Sequence, residues 1–411
     1  MKILFLFAGI PHYYKNVLNK LNTVDGVEIS VLIAANSSKN IGNGVHFEDE
    51  GANFKILRKP ENKSFYWKTF FNDFVEIVED EKPDIIVAIW PYILSFLFYP
   101  HIRRLVKKRK IKLIYKDIPF QLPLFKDAIL FKVKQFRTEE SVDSKISFAR
   151  RLKLFLNSLM MRLLYNIIDA HVNYVEDAFE VLGSYGVCNE KIFIINNSPD
   201  TELLLQARKE AEVLEPFSPF SYHRLIHVGR LVKWKRVDLI IDALPKILES
   251  FPDTELLILG EGPETINLKK IVDRYNLKHK VYFVGPVYAP IDLGRYFLSC
   301  SIYILAGMGG LSINEAMAFG KPVVCSVCDG TEKKLVRDDF NGKYFIEGNS
   351  NDLAETVIKL FSDINKLKLM GLNSEQIIKN EINIKTVVNG YVNAFNYVTS
   401  NRFNLSINNK L

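Results

Sequence analysis

Short, continuous runs of Ile, Val and Leu recur along this chain with helix-like stretches between them. That alternation constrains the fold more than any other feature. Ile3–Phe7, Val27–Ile33, Asp84–Ile89, Lys112–Tyr115, His171–Val175 and Lys191–Ile195 are such runs. A strand covered on both faces must be apolar on both, so unbroken runs suit a parallel sheet flanked by helices. Tyr14–Leu21, Phe70–Asp80, Tyr99–Lys108 and Glu176–Leu182 lie between the runs and read as helices. The series predicts βαβ units wound into a doubly wound α/β sheet.

The pattern then pauses and restarts. Leu203–Glu212 reads as a helix, and Glu215–Tyr222, with Pro216 and Pro219, reads as a linker. Beyond it, Leu225–Val228, Glu255–Leu259, Val281–Val284, Ile302–Leu305 and Pro322–Cys325 are strand-like. Val237–Leu248, Ile313–Phe319, Asp352–Phe361 and Thr386–Val398 are helix-like. A chain of 411 residues exceeds what one compact core holds. Two Rossmann-like domains follow: residues 1–200, a linker over 201–222, and residues 223–385, with a last helix in 386–411.

Apolar residues at 48% and charged residues at 25% exclude a disordered chain. The net charge of +7 is uneven: residues 103–162 hold 17 Lys/Arg against 5 Asp/Glu, leaving the remainder near −5. Such a block suits an anionic lipid, a phosphorylated acceptor or nucleic acid, or it is simply a solvated face. No nucleic-acid-binding module accompanies it, so nucleic acid is not expected as a partner. Within the block, Phe148–Ile168 has Arg151, Ser158, Arg162 and Asn166 near one stripe and Leu, Met and Phe elsewhere. It reads as a helix packed on the sheet, with a membrane-surface helix as the alternative.

Met1–Ile10 is too short an apolar run for a signal peptide. Ile85–Ile102 has the length of a membrane span, but Pro91 and Pro100 break it into strand, loop and helix. The expectation is a cytoplasmic protein, at the inner face of the membrane if the basic block meets lipid. Cys325 and Cys328 form C-S-V-C within a strand-like run, without the further ligands that zinc requires.

Two places can carry chemistry. In Val228-Gly229-Arg230-Leu231-Val232-Lys233-Trp234-Lys235, a strand ends on Gly229 and two cations follow at the mouth of the sheet. Ligands of open α/β sheets bind at that end. Arg230 and Lys235 there would stabilise the negative charge that grows on a departing diphosphate. In Ala306–Pro322 a strand meets a glycine-rich loop and then a helix. The helix start suits phosphate, and Glu315 on its first turns can accept hydrogen bonds from two ribose hydroxyls.

These residues carry a family resemblance. Gly229-Arg230-Leu231 with Lys235 is one part of it. Gly260-Glu261-Gly262-Pro263, then Val281, Phe283 and Gly285, are the next. Gly310 through Val324 and Asn341-Gly342 complete it. In this order they resemble the nucleotide-binding domain of the E-x7-E class of retaining glycosyltransferases (glycosyl transferases group 1, family 4-like). The resemblance implies the GT-B fold, two Rossmann-like domains whose parallel sheets face each other across a cleft. It implies that Arg230 and Lys235 hold the diphosphate of a UDP- or GDP-sugar donor and Glu315 the ribose. Gly229, Gly310 and backbone N–H groups near Leu311 and Ser312 would lie at the phosphates, and Val284 beside the base. It also implies a final helix that crosses back to the first domain. The position of the first Glu, eight residues before Glu315, is Gly307.

In the first half, Gly9-Ile10-Pro11-His12 follows the first strand where the family has a glycine-rich loop near the donor phosphate, so the resemblance adds Gly9 to the donor-binding residues. His12, His101, Lys116 and Asp117 are the candidates for acceptor contact. The chain contains no Asp-x-Asp. The expectation is therefore transfer without a metal or other cofactor, from a nucleotide-sugar to a glycan or lipid-linked acceptor in surface-polysaccharide synthesis. Rival readings are an epimerase or phosphorylase of the same fold, and a degenerate relative that binds without turnover.

Overall fold

The computed structural model describes residues 1–35, 49–62, 70–117, 123–129, 148–328 and 330–400. Parts of the basic block, 118–122 and 130–147, lie outside the described residues. The chain forms two α/β units. The described residues up to Asn196 make the first together with those from Lys385 to Ser400, and the described residues of Asn197–Ile384 make the second.

The first unit contains β1 (Lys2–Phe7), β2 (Glu28–Ala34), β3 (Lys55–Lys59), β4 (Glu61–Asn62), β5 (Phe70–Phe71), β6 (Ile85–Ala88), β7 (Lys112–Lys116), β8 (Ala170–Asn173) and β9 (Ile192–Ile194). Seven of these form one parallel sheet in the order β3-β2-β1-β6-β7-β8-β9, while β4 and β5 pair as a small antiparallel ladder. Residues 70–71 are thus strand rather than the start of a helix, and the helix runs Phe74–Glu81. Lys82 closes that helix in the left-handed conformation at φ 48. Pro83 prevents its continuation. The Asp84 carboxylate then accepts the Lys2 N–H at 2.9 Å, which pins the start of β6 beside β1.

Alternation along the strands gives the sheet two apolar faces. Leu4, Leu6 and Ile86 pack with Phe74, Phe96, Leu164 and Tyr165 on one. On the other, Phe5 meets Tyr391 and Phe7 meets Tyr14 edge-on. Tyr391 belongs to the last helix, Ile384–Thr399, so this helix is part of the first unit.

The helix Phe148–Ile167 buries Met161, Leu164 and Tyr165 in the core. Its polar stripe is broken: Ser158 is buried and receives the Tyr185 hydroxyl at 3.1 Å. Its outer face carries Leu152, Leu156, Leu159 and Leu163, which are 39%, 55%, 37% and 63% exposed. The helix is therefore apolar on two faces. Among the described residues, no helix is long and apolar enough to cross a membrane.

The second unit contains β10 (Arg224–Val228), β11 (Glu255–Leu259), β12 (Val281–Gly285), β13 (Ile302–Leu305), β14 (Val323–Cys325) and β15 (Gly342–Tyr344). All pairs are parallel, in the order β12-β11-β10-β13-β14-β15. Leu225, Ile258 and Ile304 face a core shared with the helices Val237–Ser250, Ser350–Phe361 and the start of Ile364–Asn380. Ile226, Leu257 and Tyr303 face the helices Thr201–Glu212, Pro290–Leu298 and Ser312–Ala318. Cys325 is buried in β14.

Candidate functional site

The order of the second sheet reverses direction between β10 and β13, because successive strands depart from that point on opposite sides. A crevice opens at the carboxyl ends of such strands. Gly229-Arg230 leaves β10 there, and Ala306-Gly307 leaves β13 beside it.

Backbone contacts fix the first loop. Gly260, at φ +133, passes so close to Gly229 that a Cβ on it would lie 1.9 Å from the Gly229 carbonyl oxygen. Leu231 N–H donates to the Glu261 carbonyl at 2.9 Å, and Leu231 is fully buried. Arg230 is half-buried, and its guanidinium lies 5.8 Å from the centre of the Trp234 ring.

The second loop is held by Lys235. Lys235 is 9% exposed, and its ammonium donates to the carbonyls of Met308 at 2.9 Å and Gly309 at 2.7 Å. The Met308 N–H returns a bond to the Trp234 carbonyl at 2.9 Å. Gly307 lies against this turn: a Cβ there would stand 2.1 Å from the Trp234 oxygen. The space that a side chain at 307 would occupy is filled by backbone. A Cβ at Gly310 would stand 3.1 Å from the Lys235 ammonium, so Gly310 lies at that cation as well.

Glu315 lies on the helix Ser312–Ala318, which Leu311 precedes. Burial pushes its carboxyl up to about 7, and the nearby Lys235 cation opposes that rise. The Tyr303 hydroxyl donates to Ser312 Oγ at 2.7 Å and so anchors the first turn of this helix to β13. The crevice thus brings together Gly229, Arg230, Lys235, Gly310, Leu311, Ser312 and Glu315. Val284 is on the edge strand β12, two strands from β10, and packs against the core.

His227 in β10 is a residue that sequence reasoning missed. It is fully buried, its Nδ1 lies 3.0 Å from the Ile304 carbonyl, and Nε2 has no hydrogen-bond partner among the described residues. The carbonyl can only accept, so Nδ1 carries the proton and Nε2 is an acceptor. Burial lowers its pKa to about 4, which keeps the ring neutral. A Cβ on Gly229 would lie 3.7 Å from Nε2, directly behind the loop. The sequence signal, a lone His in an apolar strand, is what a satisfied core histidine also gives.

The first-unit candidates scatter. Gly9 is buried at the end of β1, and His12 is exposed at the start of the helix His12–Asn22. Lys116 ends β7, and Asp117 follows and accepts the Tyr165 hydroxyl at 2.9 Å, which draws it toward the core. His101 is exposed on the helix Pro100–Arg109, its ring 5.6 Å from that of Tyr99.

Comparison with known proteins matches residues 218–377 to the family profile of glycosyl transferases group 1. An uncharacterized glycosyltransferase of Methanocaldococcus jannaschii is 29% identical over 256 residues, 60% of this chain and 63% of that protein. The poly(ribitol-phosphate) alpha-N-acetylglucosaminyltransferase of Staphylococcus aureus is 24% identical over 227 residues, 54% of this chain and 45% of the relative. The matches thus span about half to two thirds of the length of these relatives. Among solved structures, Anabaena HepE in complex with UDP superposes with a TM-score of 0.64 at 17% identity. That superposition covers 96% of this chain and 99% of HepE. The likeness shows the GT-B fold over the whole chain.

Proposed function

We propose that the chain, whose residues 218–377 match the profile of glycosyl transferases group 1, transfers a hexose-type sugar from a nucleoside-diphosphate sugar, with retention at the anomeric carbon. The acceptor is a hydroxyl of a glycan or lipid-linked molecule in surface-polysaccharide synthesis. The observation that carries this reading is the crevice between β10 and β13. Two cations and a carboxylate of raised pKa converge there on a glycine-rich loop and a helix start.

In the proposed reaction the bond between the anomeric carbon and the diphosphate oxygen breaks, and the acceptor oxygen bonds to the same carbon from the same face. The acceptor proton passes to the departing phosphate oxygen. Arg230 offers planar paired donors to that phosphate, while Lys235 offers a point charge. Both are fixed before the charge develops, so little reorganisation is required. Glu315, in the ionised form that the nearby Lys235 favours, accepts the ribose hydroxyls. Relatives whose names specify N-acetylglucosaminyl transfer, and HepE with bound UDP, favour a UDP-linked donor.

Contact with anionic membrane belongs to the same reading. The exposed leucines of the helix Phe148–Ile167 lie beside exposed Arg151, Lys153 and Arg162. Such a face suits the headgroup boundary at the cytoplasmic side.

The experiment is a binding panel of UDP, GDP and ADP on the full chain, with Arg230→Ala alongside. One nucleotide should bind clearly, and removal of Arg230 should lower transfer by about 100-fold or more. Wild-type turnover in Arg230→Ala would remove the phosphate role.

A further inference from the structure

Consecutive strands of the first sheet begin beside a charged residue. Asp84 precedes β6, Lys112 opens β7, Asp169 precedes β8 and Lys191 precedes β9. In a parallel sheet these residues share the amino edge, opposite the edge at which ligands of open α/β sheets bind. They line a groove of about 670 Å³ together with Lys107 and Lys110, from the end of the helix Pro100–Arg109. Small-molecule sites have volumes of about 300–1,000 Å³, so the groove has room for a headgroup.

The acidic residues of the groove are committed to the backbone. Asp84 accepts the Lys2 N–H at 2.9 Å, and Asp169 accepts the Leu113 N–H at 2.9 Å. Asp169 also pairs with the Lys112 ammonium at 3.2 Å, which neutralises it. The other lysines are placed differently. Lys191 donates to the Ile168 carbonyl at 3.4 Å, and among the described residues Lys107, Lys110 and Lys191 form no ion pair. The carboxyl ends of the helices Pro100–Arg109 and Ile384–Thr399 also line the groove, and each carries about half a negative charge. Set against these two ends and the two aspartates, the four lysines leave a net charge of roughly +1. Arg103, Arg104 and Lys108 are exposed on the same helix and add to the field. Each lysine ammonium is a point charge with three donors, which suits phosphate oxygens approaching from different directions.

The groove also adjoins an apolar surface. Asp169 follows closely on the helix Phe148–Ile167, and Leu163, the most exposed leucine of its outer face, lies toward that end. A basic groove beside exposed leucines has the two parts of an interfacial contact, charge for the headgroup and apolar area for the acyl boundary.

We infer that this groove seats the phosphate of an anionic lipid headgroup, while the leucines of the adjoining helix enter the interface. The inference rests on the membrane contact proposed above and deepens it, because it names the residues that meet the headgroup.

Sedimentation of the full chain with vesicles tests it, using phosphatidylcholine with and without phosphatidylglycerol. Wild type should bind the anionic vesicles and not the neutral ones. Lys107→Gln combined with Lys110→Gln and Lys191→Gln should lower the affinity at least tenfold, since each lysine at an anionic surface is worth roughly fivefold. Lys270→Gln with Lys359→Gln and Lys368→Gln makes the same change in net charge on exposed lysines of the second unit. That control should stay within about twofold of wild type, because salt screens charges remote from the contact. Apart from half-buried Lys191 the substituted lysines are exposed, so the variants retain the fold. Equal binding by wild type and the groove variant overturns the inference and leaves the membrane contact standing. An equal loss in both triple variants also overturns it, by assigning the binding to overall charge. No binding of anionic vesicles by wild type overturns the inference and the membrane contact together.

Discussion

Gly307 marks where this chain departs from the E-x7-E pattern, and the departure is built into the backbone. The loop after β13 presses on the turn at Trp234, leaving 2.1 Å for any Cβ at 307. A methyl group there must push the two loops apart, which costs roughly 1–3 kcal/mol. Gly307→Ala should therefore lower both Tm and affinity for UDP, and Gly307→Glu should do so more strongly rather than restore a missing carboxylate. Chemical denaturation with UDP titration checks this; an Ala variant as stable as wild type would show that the loop yields freely. Glu315 presents the opposite balance. Its carboxyl is raised to about 7 by burial, so the folded protein binds more protons than the unfolded chain between the ordinary Glu value and 7. The contribution of this group to stability is thus full at low pH and lost as pH rises through 7. Glu315→Gln should be more stable than wild type at pH 8, no more stable at pH 4, and weaker in UDP binding. Melting curves across that range read the difference directly.

At the scale of elements, the helix Phe148–Ile167 makes the clearest claim. A helix that packs on a sheet needs one apolar face, and this one has a second, with Leu156 and Leu163 more than half exposed. Each leucine that enters a lipid interface contributes on the order of 1 kcal/mol, and each nearby basic residue about as much on anionic lipid. Leu156→Glu combined with Leu163→Glu should cut flotation with phosphatidylglycerol vesicles more than tenfold. Wild-type binding should weaken in high salt. Equal flotation of the variant would detach this face from the membrane. The same helix shows what sequence patterns leave undecided: its period was legible, but which leucines turn inward depends on the core it meets. Elements with continuous apolar runs, such as β1, β2 and β13, were readable for the reason that both their faces are buried. β3 was not, because Lys55-Ile56-Leu57-Arg58-Lys59 is an edge strand whose charged residues face solvent. The helix Ile364–Asn380 was hidden by its Gly371 and Ser374 at buried positions, where small residues rather than large ones make the contact.

For the whole molecule, the site was legible where residue type dictates chemistry and illegible where it depends on approach. Arg230, Lys235 and Glu315 stood out as cations and a carboxylate at strand ends. The grip of Lys235 on the Met308 and Gly309 carbonyls, and the neutral His227 behind Gly229, arise from loops brought together from positions some 70 to 80 residues apart in sequence. Both units nevertheless have cores of their own, one around Phe74, Phe96 and Tyr165, the other around Ile258, Ile304 and Tyr303. Arg230, Lys235 and Glu315, the side chains assigned to the diphosphate and ribose, lie in the second unit. Heat should accordingly melt the chain in two steps, and UDP should lift only one. At 100 times its Kd, a ligand confined to the folded state adds about 2.7 kcal/mol. For a unit of this size that corresponds to a rise on the order of 5–10 °C. Tyr391→Ala, which removes a ring packed on Phe5 in the first unit, should lower the other step and leave the UDP shift in place. Scanning calorimetry with and without UDP decides the matter. Two steps with one shift assign nucleotide binding to the second unit alone. A single step that moves as a whole would mean that the first unit shares in holding the nucleotide.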